Sequence, residues 1–293
     1  MNFSIGKHKL AEGKKTFVVA ELSGNHNQSL ARAKKLIKLA KLAGADAVKL
    51  QTYTADTITL KSNSKDFKIQ KNSPWAKYKN FWNLYNYAST PWSWHKELFR
   101  TAKKNNIEIF SSPFDETAVD FLETLNCPAY KIASPEINHI PLIKKVAKTK
   151  KPVILSTGLA KLKDIELAIK TLKSNGCYKI AVLRCVTSYP SPLEEQNLKI
   201  ISDIKKRFKV LSGLSDHTIG NTSALTSVAL GGSIVEKHFN IRDKIKTVDS
   251  FFSSDFKLFK EMVEKIREVE ASLGKVSYDI SKSSKKHLKG KRS

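Results

Sequence analysis

Two histidines, His217 in the run Gly213-Leu214-Ser215-Asp216-His217 and His238 in Glu236-Lys237-His238, each follow a stretch that reads as a β-strand. Imidazoles ending neighbouring strands can converge on one divalent ion and leave positions open for water or substrate oxygens. Two protein nitrogens with several open positions suit Mn²⁺, or else Mg²⁺ or Co²⁺, better than a closed zinc site. The competing role for each is that of a hydrogen-bonded structural histidine. Asp216 beside them is either a carboxylate that orients this region or a turn former. Lys49 and Lys131 stand within runs that otherwise read apolar, where an unpaired ammonium is costly, so each is expected to face an anion. That anion is a protein carboxylate, Glu21 or Glu136, or a bound phosphate and carboxylate cradled with help from Ser134, Ser156 and Ser215. A lysine so placed can also form a Schiff base. Two lysines next to a histidine pair fit anion clamping better.

These residues need a frame that gathers strand ends, and the chain supplies one. Short β-rich runs alternate with longer amphipathic stretches, the pattern of a parallel sheet built from βα units. The strand candidates are Phe17 to Leu22, Ala47 to Gln51, Ile107 to Ser111, Ala129 to Ala133, Val153 to Ser156, Lys179 to Cys185, Lys209 to Leu214, and Ser233 to His238. Leu30 to Ala43 reads as the first helix, with Leu36, Leu39, Ala40 and Ala43 on one stripe and Gly44 closing it. Eight such units in about 250 residues predict a single (β/α)₈ TIM barrel. An open doubly wound sheet would carry a Gly-rich turn after its first strand, and Glu21-Leu22-Ser23-Gly24-Asn25 is not one. Reactive groups collect where a barrel keeps its chemistry, at the C-terminal strand ends. They are Glu21, Asn25 and His26; Lys49 and Gln51; Ser111 and Ser112; Lys131, Ser134 and Glu136; Ser156; Arg184, Thr187 and Tyr189; Ser215 to His217; and Glu236 to His238. The segment Thr52 to Thr90 interrupts the alternation and is expected to lie over the mouth. Its Trp75, Tyr78, Phe81, Trp82 and Tyr85 recur partly at helical spacing, which favours packing of a short helix over ligand stacking.

Composition narrows the class further. The chain has 293 residues, 41% of them hydrophobic, and a formal charge of +25. Such a charge suggests nucleic acid, yet the lysines fall on polar helix positions, as at Lys34, Lys35, Lys38 and Lys41. That is a solvated face, and no nucleic-acid partner is expected; the positive field would still draw in anionic substrates. No apolar run approaches the roughly 18 residues of a membrane span. Cys127, Cys177 and Cys185 form no CxxC pair, which fits a reducing cytoplasm. The barrel is expected over residues 1–278, and 279–293 reads as a basic linker or disordered tail.

The segments AELSGNHN (20–27), GADAVKLQTYTADTITL (44–60), SSPFD (111–115), AYKIASPEI (129–137), ILSTGL (154–159), YPSP (189–192), GLSDHT (213–218) and EKHF (236–239) together resemble the sialic acid synthase family. Its members condense phosphoenolpyruvate with an N-acetylated amino sugar, and the match spans Phe17 to about Gly274. LQTYTADTITL, TPWSWHKELF (90–99) and SSPFDETAVDFLE (111–123) are most similar to the branch that makes pseudaminic acid, rather than N-acetylneuraminic or legionaminic acid. The resemblance implies a metal on His217 and His238 that polarises the sugar aldehyde, attack by carbon three of phosphoenolpyruvate, addition of water and loss of phosphate. It implies that Lys49, Lys131, Ser134, Ser156, Thr187 and Ser215 hold phosphoenolpyruvate and that Glu21 positions water or stabilises developing positive charge. Gln51, Glu136, Tyr189 and Asp249 become contacts to the sugar, a diacetamido-trideoxy hexose, or to the metal sphere, with Glu136 counted among the catalytic groups. A homodimer is implied too. Family members continue into a small antifreeze-like domain that covers the partner's site and supplies an arginine, whereas this sequence ends at Lys291-Arg292-Ser293. The expectation is a barrel without that domain, which is either lost, carried on a separate chain or outside this sequence, and the alternative to a working synthase is a low-activity barrel awaiting that lid.

Overall fold

The structure is a computed structural model that describes residues 1–292. It opens with a hairpin not anticipated from the sequence, β1 (Asn2–Ile5) and β2 (His8–Ala11), turning at Gly6-Lys7. The signal was present as alternation: Phe3, Ile5 and Leu10 point inward and are buried, with polar neighbours outside. They join the cluster formed by Phe17, Val19, Ala47 and Phe110, so the hairpin closes the N-terminal end of the strands.

Eight parallel strands follow: β3 (Phe17–Glu21), β4 (Ala47–Thr52), β5 (Glu108–Pro113), β6 (Tyr130–Ile132), β7 (Val153–Ser156), β8 (Ile180–Cys185), β9 (Leu211–Asp216) and β10 (Ile234–Asn240). Each pairs with the next, and β10 pairs with both β9 and β3, which closes the barrel expected from the sequence. Lys209 does not belong to the seventh strand as expected. It adopts a left-handed conformation that ends the preceding helix, and the strand begins at Leu211.

The helices are α1 (Leu30–Leu42), α2 (Ala55–Ile58), α3 (Phe81–Ala88), α4 (Trp92–Lys104), α5 (Glu116–Thr124), α6 (Ile140–Lys148), α7 (Leu162–Ser174), α8 (Ile200–Phe208), α9 (Thr222–Ala229), α10 (Phe256–Leu273) and α11 (Lys282–Lys285). A two-residue strand, β11 (Ser254–Asp255), extends the sheet beside β10. α1 shows the logic of the outer ring. Ser29 caps its start by accepting from the Arg32 N–H at 3.2 Å, Leu36, Ile37 and Ala40 face the strands, and Gly44 takes the positive φ of 90° that the exit turn requires.

The segment 52–90 lies over the mouth as expected. It carries α2 and α3 and is tied across to the β10–α10 loop by the Trp75 indole N–H, which donates to the Val248 carbonyl at 2.9 Å. Residues 271–292 are exposed. The stretch 279–292 carries one helical turn, α11, where Ser281 accepts from the Ser284 N–H; Ser293 lies outside the described residues. No helix among the described residues is long and apolar enough to cross a membrane.

Ile5 is fully buried in the barrel-base cluster, so Ile5→Ala should lower unfolding free energy by about 2–4 kcal/mol. A urea midpoint placing the loss within about 0.5 kcal/mol of zero would show that the hairpin is not part of the core.

Candidate functional site

Strand register sets the floor of the site. Glu21 on β3 is paired with Lys49 on β4 and with His238 on β10, while Glu236 on β10 is paired with Ser215 on β9. Alternation sends these side chains, with Lys131 from β6, into the barrel. Lys49 Nζ lies 2.9 Å from Glu21 Oε2 and 3.2 Å from Glu236 Oε1, and Lys131 Nζ lies 2.8 Å from the same Glu236 oxygen. The Ser215 hydroxyl donates to that oxygen at 3.1 Å. All four charged groups are buried, two of each sign. Burial works against the charged form of both lysines. At Lys49 the two carboxylates outweigh it and the pKa is raised, whereas at Lys131 burial prevails over Glu236 and the pKa is lowered.

Above this floor stands a set of hydroxyls. Ser134 Oγ accepts the Gly158 N–H at 2.9 Å, and a Cβ added at Gly158 would overlap Thr187 Oγ1 and press on Ser134 Oγ, so glycine is needed for the close approach. The buried Ser156 Oγ and Thr187 Oγ1 have no hydrogen-bond partner among the described residues. Buried hydroxyls without partners, beside two lysines and a backbone turn, suit an anion rich in acceptor oxygens. Glu21 Oε1 accepts from the Ser23 N–H and from Gln51 Nε2, each at 3.0 Å, which fixes its carboxylate plane; burial raises its pKa against the pull of Lys49. Glu136 Oε2 has no partner, and burial pushes that carboxyl up to about 7.

His217 and His238 face each other with ring centroids 5.3 Å apart. His217 Nδ1 donates to the Val186 carbonyl at 2.8 Å, so its other nitrogen keeps a free lone pair. Burial, with His217 and Lys49 nearby, holds His238 well below the usual imidazole range, and its buried Nδ1 has no hydrogen-bond partner, Asp249 Oδ2 standing 4.0 Å away. Neutral imidazole is the ligating form, and the donor set fits a divalent ion. Among the described residues no three His, Cys, Asp or Glu side chains form a cage, so the remaining positions would belong to water or substrate. Tyr189 leans on His217 with centroids 4.4 Å apart, and the Ser23 hydroxyl donates to Asp249 at 2.6 Å. Asp216 resolves as a turn former that also pairs with the buried Lys237 at 2.6 Å, fixing the bend on which His217 sits.

The NeuB family model matches residues 36–278. The chain belongs to the NeuB family. It is 47% identical over 257 residues to the pseudaminic acid synthase of Helicobacter pylori, covering 88% of this chain and 75% of that one. To the N,N'-diacetyllegionaminic acid synthase of Campylobacter jejuni it is 38% identical over 278 residues, covering 94% and 82%. The crystal structure of N-acetylneuraminic acid synthetase from Leptospira borgpetersenii superposes with a TM-score of 0.87 at 27% identity, covering 99% of this chain and 96% of that one. The family named by the sequence motifs is the one found.

Within this NeuB barrel, the floor, the hydroxyl set and the histidine pair gather the residues singled out from the sequence at one end of the strands. Four other strand-end groups turn elsewhere. Asn25 donates to the Phe239 carbonyl, His26 contacts Thr90, Ser111 pairs with Thr52, and Arg184 holds the Gln196 carbonyl, so these knit loops. The lysine counter-ions also differ from expectation, since Glu136 pairs with neither lysine and Glu236 pairs with both. Glu236, counted among the strand-end groups, was given no role from the sequence, although a carboxylate in an apolar strand was the signal. In the aromatic insertion, Trp75 and Phe81 pack beside Leu84 and Ala88 as expected, and together with Tyr85 they also line a cavity of about 250 Å³ that reaches Gln51, His238 and Asp249.

With a folded pKa of about 7 against roughly 4.3 unfolded, Glu136 retains a proton in the native state that the unfolded chain has lost. Its contribution to stability is complete below the unfolded value and declines as pH rises from there through 7, by about 3–4 kcal/mol. Glu136→Gln should abolish that slope; urea midpoints of the two proteins between pH 4.5 and 8 that run parallel would contradict it.

Proposed function

We propose that the chain condenses phosphoenolpyruvate with 2,4-diacetamido-2,4,6-trideoxy-L-altropyranose to give pseudaminic acid and phosphate, using a divalent ion, Mn²⁺ foremost. The observation that carries this is the 47% identity to a pseudaminic acid synthase over 88% of the chain, joined to a lysine and hydroxyl floor beside a pair of facing imidazoles.

Phosphoenolpyruvate suits the floor because its phosphate and carboxylate can engage Lys49, Lys131 and the hydroxyls of Ser134, Ser156, Thr187 and Ser215 by charge-assisted bonds. A divalent ion on His217 and His238 would act as a Lewis acid toward the sugar aldehyde. Carbon three of phosphoenolpyruvate bonds to the aldehyde carbon, water adds to carbon two, and phosphate departs with its bridging oxygen. Glu21, fixed by Ser23 and Gln51, is placed to orient that water and to offset positive charge developing at carbon two. Glu136 shares the mouth as a carboxyl that changes protonation near neutrality, and Gln51, Tyr189 and Asp249 face the sugar.

Phosphate release from phosphoenolpyruvate with Mn²⁺ should occur with the diacetamido-trideoxy-altrose and not with N-acetylmannosamine, and mass spectrometry should show the nonulosonic acid. His238→Ala should lower metal-dependent turnover more than about a hundredfold with an unchanged far-UV circular dichroism spectrum. Release with N-acetylmannosamine alone would overturn the substrate, and full activity of the His238 variant would overturn the metal site.

A further inference from the structure

The cavity above the floor has two chemically different halves. Its lower side presents Gln51, His238 and Asp249, and its roof presents Ile58, Phe81, Tyr85 and Phe114, large side chains that are each only partly buried. The roof is braced rather than loose: Tyr53 meets Tyr85 edge-on at 6.0 Å and Phe114 at 5.0 Å, and Phe81 stacks on Tyr85 at 6.1 Å. Indole donors at its edge are already engaged, Trp75 with the Val248 carbonyl and Trp82 with Asp56. A rigid apolar roof thus faces a polar lower side across a space of small-molecule size.

We propose that this hood selects the sugar by its far end, burying the terminal methyl of a 6-deoxy sugar and discriminating against a 6-hydroxyl. The inference rests on the synthase reading above. With the aldehyde carbon drawn to the histidine pair, the opposite end of the open chain lies toward the roof. A methyl there gains burial against Ile58, Phe81 and Phe114. A hydroxymethyl set against Ile58, Phe81 and Phe114 gives up water to side chains that carry no polar atom. A hydrophobic pocket rejects an added hydroxyl only modestly, so the preference should be on the order of 10- to 100-fold in kcat/KM.

The test compares the 6-deoxy diacetamido hexose with its 6-hydroxy counterpart, with phosphoenolpyruvate and Mn²⁺, in the wild-type chain and in Phe81→Gln and Ile58→Asn. Ile58 ends a short helix, so its variant guards against a Phe81 change that merely unfolds α3. The expected result is a wild-type preference of at least about tenfold that narrows in either variant while KM for phosphoenolpyruvate stays fixed, a change in ratio that general damage would not produce. Equal use of both sugars by the wild type, or a ratio untouched by both substitutions, overturns the hood and leaves the synthase reading intact. Turnover of neither sugar overturns the synthase reading and the hood with it.

Discussion

The carboxylate of Glu236 is the constraint on which the barrel interior depends. A TIM barrel normally fills its centre with branched apolar side chains, and this one places two ammonium groups there. Neither lysine could remain charged without a counter-ion. One oxygen of Glu236 answers both and accepts the Ser215 hydroxyl as well. Glu21 balances what is left at Lys49, so the layer is neutral while remaining polar. Neutrality lets the empty protein fold, and polarity lets an arriving anion exchange one set of charge-assisted bonds for another. Lys131, with a single carboxylate and a lowered pKa, is the member with most to gain from a second anion.

That layer explains how the rest is arranged. Below it, the cluster of Phe17, Val19, Ala47 and Phe110 with the hairpin residues Phe3, Ile5 and Leu10 keeps solvent from entering from the base. Above it, the hydroxyls of Ser156 and Thr187 and the turn at Gly158 offer partners to oxygen atoms, and the histidines stand on the adjoining arc formed by β9 and β10. The insertion then covers the mouth with aromatic rings. Chemistry therefore grades from charge at the floor, through neutral donors, to apolar surface at the roof.

Most of this was legible from residue order. The eight strands emerged because apolar runs alternate with amphipathic ones, and lysines inside such runs had to be functional or paired. What escaped did so for identifiable reasons. The β1–β2 hairpin buries only three large apolar side chains, Phe3, Ile5 and Leu10, and alternation over four residues in each strand was too short to stand out. Glu236 looked like a neighbour of His238 because pairing across the barrel, to Lys131 on β6, has no local signature. Phe81 and Tyr85 satisfy helical periodicity and cavity lining at once, and spacing cannot separate the two roles. Asn25, His26, Ser111 and Arg184 end strands as the site residues do but turn away, a matter of side-chain direction that strand position alone does not fix.

The barrel floor and its unpartnered hydroxyls are proposed as the site for phosphoenolpyruvate. The most direct test is a calorimetric titration of phosphoenolpyruvate into the wild-type chain, Ser156→Ala and Thr187→Val, with unfolding midpoints measured alongside. Because these hydroxyls have no hydrogen-bond partner among the described residues, each substitution should weaken binding by about tenfold while leaving stability unchanged or raised. Unaltered affinity in both variants would contradict the account.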